Sequence, residues 1–308
     1  MDARILDRLR CPVCGEPLAE TTAGTARALR CPRRHSFDIA RQGYVNLLAG
    51  RAPHTGDSAE MVAARADFLA AGHYDTIAAA LAATAAEVVA GAPRIAPAGT
   101  ALAHGDGRAD GRGAAGNPYP LVVDAGAGTG WYLAAVLAAL PDAVGLALDV
   151  AKPALRRAAR AHPRAAAALA DTWQRLPLAD HSAALLLNVF APRNGPEFHR
   201  VLDPAGALLV VTPAADHLAE LVDALDLLRV DPAKADRVAG SLSGHFIADS
   251  VGEHRARLAL RRTEVSTLVG MGPSAWHTDP ARLAERIAAL PEPVPVTLAV
   301  RIGTHRPR

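Results

Sequence analysis

From Pro120 onward, short apolar runs alternate with stretches of helical periodicity. Leu121-Val122-Val123, Val144 to Leu148, Ala184 to Val189 and Leu208 to Val211 are nearly unbroken apolar segments, the pattern of strands buried on both faces. Helical candidates lie between them, so the alternation predicts an α/β fold with a mostly parallel sheet covered on both sides. A helix is expected over 216–228. A last run, Val294 to Val300, follows an expected helix over about 279–290 and could close the sheet. Upstream, Met61, Ala64, Phe68, Ile77, Leu81 and Val88 recur at helical spacing through residues 57–90.

These patterns divide the chain into four stretches. Residues 1–50 are cysteine-bearing, Arg-rich and rich in turns, as suits a small metal-held module. Residues 51–90 form a helical linker region. Residues 91–118 are dense in glycine and proline, too poor in apolar groups to order themselves, and read as a flexible insertion. Residues 119–308 carry the α/β pattern. Half of the 308 residues are hydrophobic and only 4% are aromatic, so the core is one of small aliphatic side chains.

A net charge of +2 excludes a uniformly cationic nucleic-acid glove. The N-terminal 54 residues are nevertheless basic, with nine Arg against five acids. No uncharged apolar stretch reaches the roughly 18 residues of a membrane span, and the N-terminus lacks the order of a secretion signal. The expected location is the cytoplasm, with no membrane partner.

Three cysteines cannot build a disulfide framework, and all three lie within the first 35 residues. Cys11-Pro-Val-Cys14 and Cys31-Pro-Arg-Arg-His35 are two close pairs of soft ligands. Zn²⁺ takes four such N and S donors tetrahedrally, and a Cys₃His set leaves no open position, so the expected site is structural.

The second signal is Asp124-Ala-Gly126-Ala-Gly128-Thr129-Gly130 after the first strand. Glycines there let the backbone approach a ligand at the start of the next helix. A dinucleotide fingerprint starting at Gly126 needs glycine at 131, where this chain has Trp131, so nicotinamide dinucleotides are disfavoured. The acid followed by G-x-G-x-G resembles motif I of the class I S-adenosylmethionine-dependent methyltransferases. Asp149 ends the second strand, where an acid can accept both ribose hydroxyls, and Asp171 follows the next short apolar run, placed to meet the adenine.

With both signals in view, the chain resembles the zinc-containing 23S ribosomal RNA guanine-N1 methyltransferases, a family that includes macrolide-resistance enzymes. The resemblance spans nearly the whole chain outside 91–118. It rests on the cysteine set, Phe37-Asp38, Gly43-Tyr44-Val45-Asn46-Leu47-Leu48, Gly56-Asp57-Ser58-Ala59-Glu60-Met61, Ala64-Arg65 and Gly72-His73-Tyr74. Later matches are Ala191-Pro192, Thr212-Pro213, His217-Leu218, Glu220-Leu221, Met271 through Pro273, and Ala275-Trp276. It implies a class I methyltransferase sheet with a small zinc-binding module and methylation of guanine N1 in a 23S rRNA hairpin loop, with macrolide resistance as the consequence. Cys11, Cys14, Cys31 and His35 would hold zinc. Tyr74, Gly128-Thr129 and His217 would contact S-adenosylmethionine beside Asp124, Gly126, Asp149 and Asp171. The family usually carries a basic residue before that histidine, whereas this chain has Asp216, which leaves the charge beside the cofactor open.

Guanine N1 carries a proton that must leave as the methyl arrives. Asn188 stands at the edge where such enzymes hold the target base, but an amide is no base at neutral pH, and no catalytic base is named. Arg33, Arg34 and Arg41 are candidates to grip RNA, with Phe37 and Tyr44 either stacking on bases or filling the module's core. A homodimer is compatible with the chain. Two other readings stand: a small-molecule methyltransferase of natural-product biosynthesis, and a non-catalytic zinc-ribbon regulator that binds nucleic acid.

Overall fold

The computed structural model describes residues 1–23, 26–50, 56–91, 119–227, 240–272 and 279–308. The insertion expected over 91–118, apart from Gly91, lies outside these residues, as do Pro273, Ala275 and Trp276. The chain opens with a one-turn helix, α1 (Ala3–Leu6), and a three-stranded antiparallel sheet of β1 (Ala19–Ala23), β2 (Ala26–Arg30) and β3 (Ser36–Asp38). Strand β4 (Tyr44–Asn46) then leaves that small sheet and pairs in parallel with the edge of the main one.

Residues 57–90 form two helices, α2 (Ala59–Ala70) and α3 (Asp75–Gly91). Ser58 caps α2 by accepting the Met61 amide at 3.2 Å, and the chain turns at Gly72, whose φ of +82° favours glycine. The predicted alternation follows: β5 (Leu121–Ala125), α4 (Trp131–Ala139), β6 (Val144–Asp149), α5 (Lys152–Ala158), β7 (Ala165–Leu169), β8 (Ala183–Val189), α6 (Gly195–Val201), β9 (Leu202–Pro213) and α7 (Ala219–Leu225). The described part of the helix expected over 216–228 is thus only seven residues long. Strand β10 (Phe246–Leu260), α8 (Arg262–Gly270), α9 (Pro280–Ala288) and β11 (Val294–Pro307) complete the fold.

The main sheet runs β10-β11-β9-β8-β5-β6-β7-β4. Strands β4 to β9 are parallel where they pair, and β11 enters antiparallel between β9 and β10. This is the doubly wound class I methyltransferase arrangement, extended at one edge by β4. Successive side chains on a strand point to opposite faces, and the core divides accordingly. Val122, Ala147, Leu187 and Leu209 join the cluster that includes Leu81, Leu133 and Leu155 from α3, α4 and α5. Val123, Leu146, Leu186 and Leu208 join Ile5, Leu9 and Phe198 on the other face. Cys11 and Cys31 belong to that second cluster, so the cysteine segment covers one face of the main sheet.

Strand β10 gave no apolar run in the sequence. Among the described residues it pairs only with β11, and it is mostly exposed along its length, so charged positions such as Glu253, Arg255 and Arg257 are tolerated. Strand β11 continues seven residues past Val300 to pair with it. Among the described residues no helix is long and apolar enough to cross a membrane.

Candidate active site and metal centre

The cysteine pairs are held by two tight turns. The Gly15 amide donates to the Cys11 carbonyl at 2.8 Å with Gly15 at φ +77°, and the Arg34 amide donates to the Cys31 carbonyl at 2.9 Å with Arg34 at φ +67°. The four donor atoms of Cys11, Cys14, Cys31 and His35 all lie within 4.8 Å of one another. His35 Nδ1 is 3.5 Å from Cys11 Sγ and 3.4 Å from Cys31 Sγ, and the Cys14 and Cys31 sulfurs are 3.7 Å apart. A tetrahedral zinc with Zn–S bonds of about 2.3 Å requires sulfur separations of about 3.8 Å. The set therefore fits zinc in shape and chemistry, and its four ligands leave no position for substrate.

The parallel strands β5, β6, β7 and β8 bring their carboxyl ends to one edge of the sheet, beneath a cavity of about 660 Å³. That volume is within the roughly 300–1,000 Å³ of small-molecule sites. All eight expected cofactor residues, from Tyr74 to His217, line it.

Asp124 sits on the cavity floor, 1% exposed, and neither carboxylate oxygen has a hydrogen-bond partner. Burial, and then the Asp149 charge, push its pKa from 3.8 up to about 8. Asp149 accepts the Gly128 amide at one oxygen and the Ala151 amide at the other, each at 2.8 Å. Burial raises its pKa while these amides oppose the shift. The Gly128 N–H, a candidate ligand contact, is thus already engaged. Asp171 accepts the Trp173 amide at 2.9 Å.

The glycines of the turn differ in kind. Gly126, at φ +85°, is packed so tightly that a Cβ there would lie 2.4 Å from the Ala191 Cβ. Gly128, at φ +53°, faces the cavity, where a Cβ would meet only Arg65 at 3.5 Å.

Tyr74 is buried, and desolvation raises its hydroxyl above the ordinary phenol range. Its ring lies 6.3 Å from that of His217. His217 Nδ1 accepts the Ala299 amide at 3.3 Å, which leaves the proton of a neutral ring on Nε2. The charge question at Asp216 is resolved by pairing, since that carboxylate is held by Arg255.

Two features escaped the sequence. Phe190 follows β8, is 40% exposed, lines the cavity and adopts φ +52°, a strained conformation for a bulky residue. Three contacts hold its loop: the Phe190 amide donates to Val211 at 3.1 Å, Asn188 Nδ2 donates to Pro192 at 2.8 Å, and Ala191 rests on Gly126. Asn188 is fully buried and also donates to Ala125 at 3.2 Å, so it braces this loop. The second feature is Arg65 on α2, paired with Asp57 and donating to the Met271 carbonyl at 2.9 Å across the cavity. Neither a strained backbone angle nor a contact over 206 positions leaves a mark on local sequence.

Of the module's candidate RNA residues, Arg33, Arg34 and Arg41 are exposed, whereas Tyr44 is buried in the main core and Phe37 packs partly against the second cluster.

The zinc-ribbon family described as RlmA, N-terminal, matches residues 9–52. The 23S rRNA (guanine(748)-N(1))-methyltransferase of Streptomyces fradiae is 49% identical over 310 residues, covering 100% of this chain and 99% of that protein. A Micromonospora griseorubida protein bearing the 23S rRNA (guanine-N(1)-)-methyltransferase name is 66% identical over 310 residues, covering 100% of both. Among solved structures, the YcgJ protein of Bacillus subtilis aligns with a TM-score of 0.45 at 16% identity, over 62% of this chain and 93% of that one. Full-length similarity at this level, carried by a chain with a closed Cys₃His set and a glycine turn under a cavity, shows that the protein belongs to the 23S rRNA (guanine-N1)-methyltransferase family.

Proposed function

We propose that this chain methylates N1 of a guanine in a 23S rRNA hairpin loop, with S-adenosylmethionine as the methyl donor. The unpartnered Asp124 carboxyl, buried on the floor of the cavity, carries this reading. A buried acid without a partner is costly unless a ligand cation completes it, and the ammonium of an amino-acid moiety is such a cation. In this reading Asp149 and Asp171 receive the ribose and adenine, and Tyr74, Thr129 and His217 close around the remainder. The bound donor supplies an electrophilic methyl on a sulfonium.

The chain's own task is orientation. The Phe190 ring stands at the cavity's edge, where a guanine turned out of its loop can stack with N1 pointing inward. Stacking and the Asn188-braced loop hold the base in line, the main source of rate when two bound groups react. His217, whose Nδ1 accepts the Ala299 amide, is not assigned the removal of the N1 proton. The cysteine set with zinc keeps the N-terminal segment folded against the sheet and presents Arg33, Arg34 and Arg41 to RNA.

The test is methyl transfer to 23S rRNA followed by mass mapping of fragments and primer extension, since a methyl on N1 blocks the pairing edge. One methylated guanine with a matching stop is the expected result. Transfer to small acceptors but not to rRNA would favour the biosynthetic alternative. Macrolide protection, implied by the family resemblance, is tested by expressing the active enzyme and an Asp124→Asn variant in sensitive cells.

A further inference from the structure

The exposed charges of this protein are unevenly distributed. Along β10 and β11 they neutralise one another: Arg255 pairs with Asp216, Arg257 with Glu220, Arg301 with Glu253 and Arg306 with Asp249. Helix α5 and the turn after it are different. Lys152, Arg156, Arg157 and Arg160 are all exposed, and among the described residues none of the four side chains has a hydrogen-bonding or ionic partner. No acid occurs from residue 152 to residue 170. Arg164 in the same stretch is spent otherwise, donating to the Leu140 carbonyl at 2.7 Å beyond the end of α4. Three unneutralised cations on one short helix and a fourth in the turn after it cost self-repulsion, which an anionic partner would relieve.

The position of α5 suggests which partner. Its first residue comes two positions after Val150, which lines the cavity. Its far end meets the N-terminal module: a Cβ on Gly43 would lie 3.5 Å from that of Ala159, and Arg41, exposed and also unpaired, is two residues away. From Lys152 to Arg160 the chain advances about 12 Å at helical rise. The apolar side of α5, Ala154, Leu155 and Ala158, is buried, so the helix has no free apolar face to insert into a membrane.

We propose that the outer face of α5 is a phosphate-binding surface for the RNA strand flanking the modified loop. It joins the mouth of the cavity to the Arg41 turn, so that one RNA strand is held along this continuous cationic surface. This rests on the rRNA reading above and adds a surface to it.

The test compares the full-length, metal-loaded protein with a Lys152→Ala, Arg156→Ala, Arg157→Ala, Arg160→Ala variant, and with a variant in which the three arginines become lysine. An RNA hairpin containing the unmethylated target guanine is titrated over a range of salt. Each neutralised phosphate contributes about 0.7–0.9 to the slope of log K against log salt, so the alanine variant should lose roughly 3 from that slope and bind at least about tenfold more weakly. Its KM for RNA should rise, its affinity for S-adenosylhomocysteine should hold, and the lysine variant should retain the slope. An unchanged slope and KM, with wild-type methylation intact, would overturn this surface alone. A loss not rescued by lysine would overturn it as well, as would wild-type binding to anionic phospholipid vesicles that the alanine variant loses while keeping its RNA affinity. A wild-type protein that neither binds nor methylates rRNA would remove the underlying reading and this proposal together.

Discussion

Replacing Asp124 by asparagine should stabilise the ligand-free protein and weaken cofactor binding at the same time. In the unfolded chain this acid ionises near pH 3.9, whereas in the fold burial and the Asp149 charge hold its proton up to about pH 8. The folded pKa is raised, so the stability associated with this group is fully present below about pH 4 and is lost as pH climbs toward 8. At pH 7 the difference spans roughly three pH units, on the order of 4 kcal/mol. That figure is an upper bound, because water entering the open cavity screens the charge. Asparagine carries no such cost and sacrifices no hydrogen bond, since neither Asp124 oxygen has one. The ligand-free variant should therefore melt several degrees higher at pH 7 to 8, and its advantage should shrink toward pH 5. Binding should move the other way, because a hydrogen bond to a charged group contributes about 1.5–3 kcal/mol, or roughly 10- to 100-fold in affinity. Calorimetric melts across pH 5–9 and titration with S-adenosylhomocysteine measure both quantities. A variant that is less stable without ligand, or that binds as tightly as wild type, would refute the assignment of Asp124 to a ligand cation.

Three further outcomes follow from the same geometry. Elemental analysis should find about one zinc per chain, and chelation should expose three thiols and lower the melting temperature of the whole protein, because Cys11 and Cys31 share a core with the sheet; absence of zinc in protein purified without chelator would contradict this. Gly126→Ala should cost about 1–2 kcal/mol for the left-handed backbone plus about 1–3 kcal/mol for the overlap with Ala191, whereas Gly128→Ala should incur only the backbone cost while reducing cofactor affinity; equal stability losses in thermal melts would count against the packing argument. Phe190→Gly should lose about 1–3 kcal/mol of stacking in kcat/KM for rRNA without weakening cofactor binding, and should not destabilise the fold, since glycine accepts φ +52°; unimpaired methylation would exclude a stacking role.

The sequence by itself determined the parallel strands β5, β6, β8 and β9, the grouped metal-ligand residues and the acids at the carboxyl edge of the sheet. Each of these depends on local regularities: unbroken apolar runs mark doubly covered strands, Cys11-x-x-Cys14 and Cys31-x-x-x-His35 are ligand pairs within single turns, and Asp124, Asp149 and Asp171 stand at or just beyond the carboxyl ends of successive strands. A parallel sheet converts those equal positions into one edge, so strand order alone brings the acids to the same cavity. Tertiary structure decided what depends on distant neighbours. It buried Tyr44 in the main core, paired Asp216 with Arg255, and, among the described residues, brought no acid from elsewhere in the chain to the cationic side chains of α5. It also separated two glycines that look alike in the motif, because only Gly126 has Ala191, 65 residues later, pressed against it. The strain at Phe190 arises from contacts to Val211 and Gly126 that no local pattern encodes. Strand β10 is legible only once β11 is in place, since an edge strand buries too little to need an apolar run. Composition and spacing report what a residue can do chemically; the packing of remote segments fixes its protonation, its partners and the face it presents.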